Sequence, residues 1–111
     1  MSYYVLSEVP ERHIYVVTGC SQIDPTRSKI DYSYETIKVL RQICRNPDDV
    51  PEHPLSGLKD AKDFVEMIIN RLVISTTLII QMDSVDSWRH YAIIGAVLAT
   101  LGVNYDGITK R

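Results

Sequence analysis

The sequence predicts an α/β sandwich built on a mostly parallel sheet, and three observations predict it. β-rich runs and helix-period runs alternate along the chain. The run Leu78-Ile79-Ile80, inside STTLIIQMD, is apolar without alternation, as in a strand buried on both faces. From Tyr91 to Leu101 every residue except Thr100 is apolar, aromatic or Gly, as in a helix packed between two layers or between subunits.

The elements follow in order. YYVLSE at 3–8 and HIYVVTG at 13–19 are β-rich and separated by the Pro10 break, and the second ends at Gly19. CSQIDPTRSKID is a polar loop containing Pro25. A helix follows, with Asp31 or Ser33 as N-cap and Ile37, Leu40, Ile43 and Cys44 on one face. RNPDDVPEHP holds three prolines in ten residues and is a surface loop. Ser56 or Gly57 opens the clearest helix, in which Leu58, Ala61, Phe64, Val65, Ile68, Ile69, Leu72 and Val73 form one stripe. After the strand at 78–80, Ser84, Asp86 and Ser87 are N-cap candidates for the last helix. Gly102 stands at its C-cap, and VNYDGI supplies a short final strand.

With 111 residues, 45 % of them hydrophobic and 23 % charged, the chain reads as a single domain over 1–111 with one core. Twelve Lys and Arg against 14 Asp and Glu give a formal charge of −2, which gives no strong signal for a nucleic-acid surface. Cys20 and Cys44 make no CxxC or Cys/His metal spacing and read as reduced thiols. The opening MSYYVLSEVPER lacks a charged leader and apolar run, and the segment 91–103 is shorter than a bilayer span. A cytoplasmic protein without membrane contact is expected. There is no P-loop, dinucleotide fingerprint or metal spacing, so no cofactor is expected.

In a parallel sheet, ligands bind beyond the carboxyl ends of the strands. That makes two loops the candidate site: Gly19, Cys20 and Ser21 after one strand, and Asp83, Ser84, Asp86, Ser87 and Trp88 after the other. Asp83 and Asp86 suit acid/base work or ribose contacts, or else a turn and an N-cap. Cys20 suits a nucleophile or a small loop filler, His90 a base or a surface residue, and Trp88 base stacking or a packed anchor.

HIYVVTGCS, a proline-rich loop, TTLIIQMDSVDSW and YAIIGAVLATLGV together resemble the nucleoside 2-deoxyribosyltransferase-like superfamily, in particular its short, phage-associated members. The resemblance covers roughly residues 13–107 and implies a Rossmann-like three-layer sandwich. It assigns Gly19, Cys20 and Ser21 to the base and sugar pocket, and Asp83 to the acidic strand end. Ser84, Asp86 and Ser87 fall in the loop that holds the sugar or its phosphate. The family's catalytic Glu falls at Ile93 or Ile94, neither of which can act as nucleophile or base. Three functions follow as expectations. The first is a nucleoside- or nucleotide-binding protein without glycosidic-bond chemistry. The second is an active N-glycosidase or transferase using Asp83 or Asp86. The third is a protein-interaction module using the fold as a scaffold. The family's habit of assembly and the apolar last helix add the expectation of a homo-oligomer.

Overall fold

A computed structural model of the chain describes residues 14–23, 29–45, 53–82 and 87–111. The N-terminal run 3–8, the proline-rich stretch 46–52 and the segment 83–86 lie outside the described residues. The elements are β1 (Ile14–Thr18), α1 (Lys29–Cys44), a 3-10 turn (Pro54–Ser56), α2 (Leu58–Ile74), β2 (Leu78–Gln81), α3 (Ser87–Leu101) and β3 (Gly107–Lys110).

The sheet corrects the expected Rossmann-like architecture. It has three strands in the order β2-β1-β3, and β1 is antiparallel to both neighbours. Ile14 stands opposite Gln81 and Val17 opposite Leu78 on one side, while Tyr15 faces Lys110 and Thr18 faces Gly107 on the other. The connections explain the direction. One crossover helix returns a chain to the end where its strand began, so the next strand runs parallel. Two helices, α1 and α2, separate β1 from β2, and they bring the chain back to the end where β1 finished. The unit β2-α3-β3 does have a single crossover helix, and its two strands point the same way. They are not neighbours, because β1 lies between them in a split βαβ arrangement.

The sheet buries one face. Tyr15, Val17, Leu78 and Ile80 point into a single core with Leu40 and Cys44 of α1, Ala61, Val65, Ile68 and Leu72 of α2, and Ile93, Ile94, Val97 and Leu98 of α3. On the other face Ile14 and Val16 are half-buried, Gln81 is exposed and Ile79 is 48 % exposed. β2 therefore alternates, with Leu78 and Ile80 inward and Ile79 outward, and is not covered on both sides. Among the described residues there are two layers, helices on one face of a sheet, where three were expected.

The helices follow from their sequences. The α2 stripe is buried at Ala61, Val65, Ile68, Ile69 and Leu72, but its first member, Leu58, faces solvent. In α3 the inward positions are Ile93, Ile94, Val97, Leu98 and Leu101, while Tyr91, Ala92 and Ala99 are exposed. The helix is apolar all round because small residues fill its outer side, so its pattern needs no second covering layer. Gly102 ends it in the left-handed region, at φ 76°. The amide of Gly102 donates to the Ala99 carbonyl (3.1 Å) and that of Val103 to Leu98 (2.8 Å), the paired bonds of a Schellman cap. No helix among the described residues is long and apolar enough to cross a membrane.

Candidate functional site

The first predicted loop is a structural hinge of the sheet. Gly19 leaves β1 with φ 69°, a backbone conformation that favours glycine, and a Cβ there would displace the exposed Asp106 carboxylate. The turn is then fixed by its neighbours. The Cys20 amide donates to the Thr76 carbonyl (2.8 Å), the Ser21 amide to Asn104 (2.8 Å), and the Asn104 amide to Ser21 Oγ (3.0 Å). The Cys20 thiol is buried and directed at the Val17 carbonyl (3.7 Å). Burial, and secondarily the charge of Asp106, push its pKa up, so it is held as a thiol and not as a reactive thiolate. The amides of Cys20 and Ser21 and the Ser21 hydroxyl thus join β1 to the segments that lead into β2 and β3.

The carboxyl end of β2 does not share that end of the sheet. Asp83, Ser84 and Asp86 lie outside the described residues. Ser87 and Trp88 form the first turn of α3. The residue at the carboxyl end of β2, Gln81, stands opposite Ile14, the start of β1. Gly19 lies five positions further along, about 17 Å away at strand rise. A shared pocket needed both strands to end on one edge, and antiparallel pairing places the two carboxyl ends at opposite edges.

Ile93 and Ile94, at the position of the family's Glu, are both fully buried in the core. His90 is fully buried too, and not a surface residue. Its Nδ1 lies 2.7 Å from the Tyr15 hydroxyl, and the Tyr15 ring meets His90 and Tyr91 edge-on, each at 5.2 Å between centroids. Burial first, then Tyr91, raise the Tyr15 pKa, which keeps the phenol protonated within its hydrogen bond with His90. This pair locks α3 onto the buried face of β1.

Open concavities lie elsewhere, one of them about 370 Å³ and lined by Ile14, Met67, Arg71, Ile79 and Gln81. A groove of about 340 Å³ runs along the outer side of α1 and the start of α2, lined by Tyr34, Ile37, Lys38, Arg41, Gln42, Arg45 and Leu58. Two of its large side chains face solvent, Tyr34 at 71 % and Leu58 at 59 %. Arg41 is anchored, with its Nε donating to the Ser56 carbonyl (2.9 Å), which ties α1 to the 3-10 turn. His53 caps that turn, its Nδ1 accepting from the Leu55 amide (3.1 Å). No carboxylate among the described residues forms an ion pair with Lys38, Arg41 or Arg45. Reasoning from periodicity marked the inward face of α1 and passed over this one. The available signal was the row Tyr34, Lys38, Arg41 and Arg45, at i, i+4, i+7 and i+11 on one helix. Among the described residues, no group of His, Cys, Asp and Glu could hold a metal ion.

Comparison with protein-family models, curated proteins and solved structures finds no match to this chain. The expectations of nucleotide binding and a phage-type origin rested on the family resemblance, which implied a Rossmann-like arrangement, and that of self-association on the family's habit of assembly and the apolar last helix. With that arrangement replaced by an antiparallel sheet, they have no support in the described residues or in the comparisons.

Proposed function

We propose that the chain is a protein-interaction module that docks a segment of a partner protein in the groove between α1 and the start of α2. The observation that carries this reading is the exposure of Tyr34 and Leu58 beside cations without ion-pair partners among the described residues, over a concavity of about 340 Å³. Covering an exposed side chain of this size contributes about 1.5–3 kcal/mol when burial is complete. Aromatic and arginine side chains around a pocket are the composition of binding hot spots. The volume sits at the low end of ligand-sized concavities, roughly 300–1,000 Å³, and so suits a few side chains of a segment better than a whole domain surface.

The test is selection of binders from a random peptide library on the intact protein, repeated on Y34A/L58A. Binders that lose affinity at least tenfold on the double variant, with its melting temperature unchanged, support the reading. Binders indifferent to both substitutions contradict it.

A further inference from the structure

We infer that the segment received by this groove is an acidic amphipathic helix. The inference rests on the docking reading above and adds the chemistry of the partner. Tyr34, Lys38, Arg41 and Arg45 follow one line along α1, about 16 Å long at helical rise, so the receiving surface is straight and about three turns deep. Lys38, Arg41 and Arg45 are spaced by about 4.5 and 6 Å along the axis. Carboxylates at i, i+3 and i+7 of a second helix have the same spacing. Ile37 and Leu58 give that helix an apolar strip to lie on.

Arg41 is the most organised element of the row. Its Nε is occupied by the Ser56 carbonyl, which fixes the guanidinium plane and leaves the terminal N–H groups to fork onto a carboxylate. The local charge is opposite to that of the chain, whose formal net charge is −2. A polyanionic nucleic acid needs many cations to displace its counterions, and three on an acidic protein fit a short acidic peptide better.

The experiment uses the intact protein and a display library of amphipathic helical peptides of about fifteen residues. Each carries an invariant leucine stripe, and three adjacent-face positions are randomised over Glu, Gln and Lys. Enrichment of Glu at all three positions is expected, with affinity falling at least tenfold in K38E/R45E and again between low and high salt. Enrichment of Gln or Lys overturns the inference while leaving groove docking intact, provided binding still depends on Tyr34 and Leu58. Binding that ignores Tyr34 and Leu58 overturns both. A fall of several degrees in the melting temperature of K38E/R45E, without peptide binding to the parent protein, overturns both as well. The cations would then serve the chain's own carboxylates, for which Asp48, Asp49 and Glu52 are at hand in the sequence. Displacement of the selected peptide by a short single-stranded oligonucleotide at lower concentration than by free acidic peptide overturns the assignment of partner class.

Discussion

Gly19 and Tyr15 show how single residues hold this architecture. Gly19 must occupy the left-handed region and leave room for the Asp106 carboxylate. Gly19→Ala is expected to cost about 1–3 kcal/mol, read as a drop in the urea midpoint at constant slope. The Tyr15 hydroxyl shares a hydrogen bond with a buried histidine, so Tyr15→Phe removes that bond and is expected to cost about 1–3 kcal/mol at neutral pH. Tyr15 and the neighbour of Gly19, Cys20, also make stability fall at alkaline pH. The folded-state pKa of Cys20 is raised above 9.0 and that of Tyr15 above 10.0, so the native state holds both protons more tightly than the unfolded chain does. Their contribution is complete below pH 9 and drains away as pH rises through the raised folded values. Urea unfolding at pH 7, 9, 10 and 11 should therefore show stability falling from about pH 9. In Tyr15→Phe the fall above pH 10 should be shallower. The two cap and turn glycines were legible in the sequence because each stands where a periodic run stops. The Tyr15–His90 pair was not, since its members are 75 positions apart and nothing local marks them.

At the scale of elements, α3 and α1 are read differently once their neighbours are known. The apolar character of α3 was plain in the sequence, but its cause was not. The inner side is aliphatic, the outer side is largely alanine, and hydropathy alone does not separate them. Ile94→Glu tests the inner side directly. A carboxylate at this fully buried position is taken out of water among aliphatic side chains, and a cost of several kcal/mol is expected, enough to unfold a domain of ordinary stability. Circular dichroism melting of that variant should show no cooperative transition near that of the parent. On α1 the inward residues Leu40 and Cys44 were identified from spacing, whereas the outward row mattered for the proposed function and carries no hydrophobic period. Y34A/L58A is expected to leave the melting temperature within about 2 °C of the parent, because both side chains are already in water. Its effect should appear in peptide affinity alone.

For the whole molecule, element types were legible and their assembly was not. The sequence alternates strand and helix, which favours a parallel sheet, but the deciding detail is that two helices and not one lie between β1 and β2. That doubling reverses β2, and the later single crossover then carries β3 past it to the far side of β1. Reversal also places the carboxyl ends of β1 and β2 at opposite ends of the sheet, and the amides of Cys20 and Ser21 join β1 to the approaches of β2 and β3. Among the described residues, the groove on α1 combines depth, exposed aromatic surface and three cations, whereas the concavity lined by Ile14, Met67, Arg71, Ile79 and Gln81 has no aromatic side chain and one cation. The most direct measurement is amide chemical-shift mapping of the intact protein titrated with a peptide selected on it. The account predicts perturbations concentrated at 34–45 and 55–60, with those at 18–21 and 104–107 unmoved. Perturbations centred on Gly19–Ser21 and Asn104–Gly107 instead would contradict it and return the site to the end of β1.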